Sequence, residues 1–349
     1  MMLSHGLRRM GTFRGRSFVN PARWAEVSRF AVPLLLLGAF VAGAENQPSV
    51  AEGQPPVSSR EAKAPTSVPA PESRAAGPAD ESEVRSAMKE RLKAEAEEWK
   101  GRMGDGYIVE AVEPCFVLVS NQPRAEYEAR RDRTLLAFCE RFWATYGCRK
   151  KPEEILRVFL FNDAGSYKGK SKELFGKEPT TPFGYYSSSN RALVMNIATG
   201  GGTLAHELTH ALVRADFPDI PAWFNEGLGS LYEQCRFDGD QGIRGMVNWR
   251  LPALLKAMDS GAAPALKKLV GTTTEEFYGP RTGLNYAEAR YFCMYMQEKG
   301  ILADFYKKFR DRFDEDRTGE KFIIEVSGAK DLSDVEKSFA EWTKSLKRK

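Results

Sequence analysis

Residues 206–210 read His206-Glu207-Leu208-Thr209-His210, and residues 221–229 follow as Pro221-Ala222-Trp223-Phe224-Asn225-Glu226-Gly227-Leu228-Gly229. On a helix, positions four apart share a face, so His206 and His210 can present both imidazoles to a single metal ion. Glu207, beside the first histidine, stands where it can take a proton from a water activated by that ion. Zinc held by three protein ligands and a water is the usual hydrolytic arrangement, because the metal lowers the pKa of the water to about 7. The spacing therefore predicts a metal-dependent hydrolase acting first of all on peptide bonds.

The chain contains just three histidines, His5, His206 and His210. His5 falls in a segment expected to be removed on export, so any third protein ligand is a carboxylate or a thiolate. That excludes the metzincin pattern, which requires a third histidine shortly after the second.

The sequence around the motif reads as α+β. Residues 107–120 alternate and are β-rich, 124–146 have helical periodicity, 155–161 form a buried strand and 166–175 a short helix. Tyr185-Tyr186 and residues 191–197 read as a hairpin. Gly200-Gly201-Gly202 breaks the chain, Thr203 is the expected N-cap, and a helix over 204–214 turns Leu204, Leu208 and Leu212 inward. Pro221 is suited to opening the next helix. Beyond Val247 the chain is expected to be mostly helical, over 251–258, 286–299, 302–313 and 332–346.

At 349 residues with 42% hydrophobic content, the chain can bury a substantial core. The first 44 residues carry six arginines against Glu26, leaving 45 basic and 46 acidic residues in the remainder. The basic balance thus belongs to the leader, and no cluster of cations with interleaved aromatics suggests nucleic-acid binding. Residues 1–44 read as a signal peptide, with an apolar run from Phe30 to Ala44 and an A-x-A site at Ala42-Gly43-Ala44. The run is shorter than the roughly 20 residues of a spanning helix. The expectation is an exported protein, periplasmic or extracellular, with no stable membrane span after cleavage; retention as an anchor is the alternative. Residues 45–82, rich in Pro, Ala and Ser, are expected to form a flexible linker. Residues 83–105 read as a solvated lead-in helix, and 106–349 as the main domain. Five cysteines allow one or two disulfides, Cys139 and Cys148 being nearest in sequence; burial as apolar residues is the other option.

The His206–His210 motif followed by Trp223-Phe224-Asn225-Glu226-Gly227 resembles the gluzincin metallopeptidases. It is most similar to the peptidase MA-like domains of exported bacterial proteins, which carry a W-x-N-E-G box shortly after H-E-x-x-H. The resemblance implies a zincin-like fold: a mixed α/β layer with an edge strand, a metal-bearing helix and a mostly helical C-terminal part. It further implies zinc on His206, His210 and Glu226, with Glu207 as general base and a peptide or protein as substrate. Its specific part covers residues 191–230. Fifteen residues separate His210 from Glu226, Ser230 stands where thermolysin-like enzymes have an aspartate, and no G-A-M-E-N-type box precedes His206. Residues 271–279, containing Glu275 and Glu276, are similar to the aspzincin box G-T-x-D-x-x-Y-G and offer a rival ligand or a helix cap; spacing and helical setting favour Glu226.

A tetrahedral oxyanion needs a further donor, for which Tyr286, then Tyr278 and Tyr232, are the candidates. The strand over 191–197 is expected to pair with an extended substrate. Two other functions fit the same residues: an inactive, zinc-stabilised binding module of the cell envelope, or an amidase acting on a non-protein amide such as a peptidoglycan cross-link.

Overall fold

A computed structural model describes residues 81–187, 189–239 and 242–346. The expected signal peptide and all of the expected linker except its last two residues lie outside the described residues. The chain is an α+β protein, mostly helical, around one small mixed sheet.

Helix α1 (Glu81–Met103) leads into the hairpin β1 (Ile108–Val112) and β2 (Phe116–Ser120). One continuous helical stretch follows, formed by α2 (Arg124–Arg130), a π segment (Arg131–Leu136) and α3 (Ala137–Tyr146). Strand β3 (Leu156–Phe161), helix α4 (Ala164–Phe175) and the hairpin β4 (Gly184–Ser187) and β5 (Ala192–Asn196) complete the sheet. Its order is β1-β2-β3-β5-β4, with β2, β3 and β5 parallel and the two outer strands antiparallel to their neighbours.

The pleat sends successive side chains to opposite faces, and here both faces are covered. Phe116, Leu118, Val158, Leu160, Leu193 and Met195 face the main core, whereas Val117, Val119, Phe159, Phe161 and Val194 face a second, smaller one. The smaller core corrects the expectation of a solvated lead-in helix. In α1, Leu92, Ala96, Trp99 and Met103 are buried against the sheet, and Trp99 meets Phe159 edge-on at 5.0 Å. These residues recur at four- and three-residue steps, a narrow apolar stripe within a highly charged helix.

The metal-motif helix α5 (Gly202–Asp216) leaves the sheet through a short 3-10 turn after β5. Its N-cap is Gly201, with no side-chain cap, and Thr203 lies inside the first turn rather than at the cap expected of it. Leu204, Leu208 and Leu212 are fully buried, as the spacing requires. Pro221 is the N-cap of α6 (Ala222–Tyr232). The hairpin β6 (Cys235–Asp238) and β7 (Gly242–Gly245) then precedes α7 (Leu251–Asp259), α8 (Leu266–Val270), α9 (Thr274–Phe277), α10 (Thr282–Glu298), α11 (Leu302–Asp311), α12 (Glu320–Ser327) and α13 (Leu332–Ser345). Helix α10 begins four residues before Tyr286, which occupies its second turn rather than its start.

The strand expected to receive substrate is not free: β5 is paired on both sides, by β3 and β4, and β4 is the edge. All five cysteines are free thiols, so Cys139 and Cys148 form no bridge. Cys139 is buried in the core, and its thiol is raised well above the usual range by burial. Cys148 lies beyond the left-handed cap Gly147, near Asp216 and Tyr306. Among the described residues no helix is long and apolar enough to cross a membrane.

Candidate metal centre

Helices α5 and α6 pack face to face and bring three side chains to one point. Ligand atoms of His206, His210 and Glu226 all lie within 4.8 Å of one another. Glu226 Oε2 stands 3.2 Å from His206 Nε2 and 3.4 Å from His210 Nε2. The second atom of each imidazole is also engaged. His206 Nδ1 faces Glu233 Oε1 at 3.2 Å, and His210 Nδ1 is 3.0 Å from Asn225 Oδ1. The Glu233 contact is an ion pair without hydrogen-bond geometry, and both partners leave Nε2 of each ring facing Glu226.

Trp223 and Phe224 are buried among Phe292, Phe305, Tyr306 and Phe309, which fixes α6 in the core. Asn225 and Glu226 address the imidazoles. Gly227 permits contact with α10: a Cβ there would stand 2.8 Å from Cys293 Sγ and 2.9 Å from the Ala289 carbonyl oxygen. Gly229 makes room for the rings themselves, since its Cβ would stand 3.1 Å from His206 Nε2 and His210 Cε1. A side chain there would fill the space beside both imidazoles.

The donor set, two imidazole nitrogens and one carboxylate oxygen, could hold a metal ion. Glu226 Oε2 is buried yet has no hydrogen bond of acceptable geometry, a cost that a cation at this point would remove. Electrostatics agree. Burial opposes the charge on Glu226, but the two imidazoles hold its carboxyl well below the usual range. Burial likewise opposes imidazolium formation at His206, yet Glu226 and Glu233 push it up to about 10. Glu233, despite burial, is held at about 2 by His206 and Arg250. The residues thus favour positive charge where the ligand atoms meet.

Glu207 follows His206 on α5 and is half-buried. Burial raises its pKa, the imidazoles counteract this, and Glu226 and Glu233 reinforce it. A carboxylate with raised basicity beside such a centre can accept and return a proton.

The tyrosines expected as donors divide. Tyr278 donates its hydroxyl to Glu226 Oε1. Tyr286 faces the same carboxylate, and burial followed by that negative charge raises its pKa, keeping the phenol protonated. Tyr232 is not in the site; its hydroxyl pairs with that of Tyr146 at 2.6 Å in the aromatic core, because it lies on another face of α6. Glu275 and Glu276 are exposed, and Glu276 forms a capping box with Thr273 at the start of α9. The rival segment 271–279 therefore contributes Tyr278 to the site while Glu276 serves as a cap.

Glu233, Asn225 and Arg250 were not anticipated from sequence. Arg250 Nη2 meets Glu233 Oε1 at 2.9 Å, and its Nε lies 3.3 Å from Oε2. Glu233 lies seven residues after Glu226, about two helical turns, which is a usable signal; Arg250 arrives from a separate loop and leaves none.

The sequence matches no known family model, and no curated protein matches it.

Proposed function

We propose that the protein is a zinc-dependent peptidase of gluzincin type, with zinc held by His206, His210 and Glu226. The observation that carries this reading is the meeting of His206 Nε2 and His210 Nε2 at Glu226 Oε2, an otherwise unsatisfied buried oxygen. When bound, zinc supplies a Lewis acid and brings the pKa of water to about 7. Glu207 accepts the proton of the attacking water and delivers it to the leaving amine, splitting the amide into acid and amine. Glu233 and Asn225 keep the imidazoles in the ligating tautomer. Tyr286 supplies a protonated hydroxyl beside Glu226, where a developing oxyanion can be stabilised, whereas the single hydroxyl proton of Tyr278 is given to Glu226 Oε1 and positions that carboxylate.

Export, the zincin-type fold and a polypeptide substrate belong to the same proposal. It is tested by zinc content and hydrolysis of blocked peptides together. The wild-type chain is expected to carry one zinc and cleave peptides, and Glu226→Ala to lose the metal while Glu276→Ala keeps it. Metal retention by Glu226→Ala, or its loss in Glu276→Ala, contradicts the ligand set; a zinc-loaded chain silent on every peptide contradicts the peptidase assignment.

A further inference from the structure

The loop between β7 and α7 alternates in a way that folding alone does not explain. Met246, Asn248 and Arg250 are anchored inward. The Met246 amide donates to the Gln234 carbonyl at 2.7 Å, and its own carbonyl accepts from Arg290. The Asn248 amide donates to the Tyr291 hydroxyl at 3.0 Å, and that hydroxyl donates in turn to the Asn248 carbonyl at 3.1 Å. The Arg250 amide donates to Asn248 Oδ1 at 3.0 Å, and the Arg250 guanidinium holds Glu233. Between these anchors Val247 and Trp249 point outward, 42% and 64% exposed. An indole held in water by a pinned backbone forgoes the stabilisation its burial would bring, so its placement calls for an occupant.

The loop is continuous with the metal centre. The Arg250 guanidinium lies 5.7 Å from the Trp249 ring centroid and 5.2 Å from that of Tyr286. Tyr286 faces Glu226, and Glu233, held by the same guanidinium, faces His206. A run of contacts therefore leads from the exposed indole to the cluster of ligands.

Building on the peptidase reading, we propose that Trp249, with Val247, is a specificity-determining platform that receives a large apolar side chain of the polypeptide substrate near the scissile bond. The indole supplies a rigid apolar surface with little conformational entropy to lose, and the cation beside it, Arg250, is engaged by Glu233 rather than free to select a charged residue. Arg250 stays committed to Glu233 and Tyr286 and sets the distance between the platform and the metal ligands.

The test uses the full zinc-loaded chain and a library of blocked peptides in which each position carries Ala, Leu, Phe, Asp or Lys. Wild type is expected to prefer Leu or Phe at one fixed position relative to the cleaved bond. Trp249→Ala should raise KM for those peptides about 10-fold or more, leave kcat near its wild-type value, and hardly alter cleavage of all-Ala peptides. Trp249→Phe should restore most of the preference. Zinc content and Tm should be unchanged in both variants, since the side chain is exposed. An unaltered preference in Trp249→Ala, or an equal loss on every peptide, overturns the platform and leaves the peptidase reading intact. A zinc-loaded wild type that cleaves nothing overturns both.

Discussion

Glu233 Oε1 lies 3.2 Å from His206 Nδ1, while Nε2 of the same ring faces Glu226 Oε2 at 3.2 Å. The imidazole thus lies between two carboxylates, one at each ring nitrogen. Glu233 is in turn clamped by Arg250. The surroundings of His206 therefore include the loop after β7 as well as α5 and α6.

Removing the orienting charge should weaken metal binding without abolishing it. Glu233→Gln is expected to lower zinc affinity by about 10–100-fold, read by competition against a chromogenic chelator. Arg250→Gln should move affinity in the same direction by less, since Glu233 stays in place. Wild-type affinity in Glu233→Gln would show that α5 alone sets the ring.

Two glycines in α6 should respond differently to the same substitution. Gly227→Ala forces a Cβ against Cys293 and the Ala289 backbone, so it should destabilise the fold by about 1–3 kcal/mol in denaturant unfolding. Gly229→Ala presses on the two imidazoles, and its expected effect is on zinc affinity. Helix propensity would favour alanine at either site by about 1 kcal/mol, so a stabilised Gly229→Ala chain with unchanged zinc binding would remove the cradle from the account.

Asp216, the last residue of α5, predicts an acid-sensitive anchor. It accepts from the Arg149 amide at 2.6 Å, the Tyr306 hydroxyl at 3.0 Å and Arg310 Nη1 at 2.6 Å. Burial opposes its charge, but Arg310 and the backbone amides hold its carboxyl below the ordinary range. Its folded pKa is thus lower than its unfolded one, about 3.9. The stability it contributes is complete above that unfolded value and is lost as pH falls through the folded pKa. Asp216→Asn should lower stability near neutrality by about 3–5 kcal/mol and flatten the acid limb of a Tm–pH profile. Parallel acid limbs in wild type and variant would locate the transition elsewhere.

The sequence reveals what is local and hides what is assembled. His206 and His210 are legible because four-residue spacing on a helix fixes their common face, and Leu204, Leu208 and Leu212 confirm which face is buried. Helices α3, α4, α7, α11 and α13 carry comparable periodic patterns. Helix α1 misleads because four buried residues are scattered among lysines, arginines and glutamates, so the stripe shows only once the sheet is present. The order of β5 and β4 depends on a crossover from β3 that no local pattern encodes. Tyr278 and Arg250 reach the site from separate loops. Thr203 fails as a cap because α5 begins at Gly202, two residues before the expected start, with Gly201 as its N-cap.

The central claim, that Glu207 moves the proton in a zinc-dependent hydrolysis, is tested most directly by Glu207→Gln at full zinc occupancy. Gln is nearly isosteric but cannot accept that proton, so zinc content and Tm should match wild type while kcat on a cleaved peptide falls by about 10²–10⁴. A zinc-loaded Glu207→Gln chain that hydrolyses the same peptide at the wild-type rate would contradict the account.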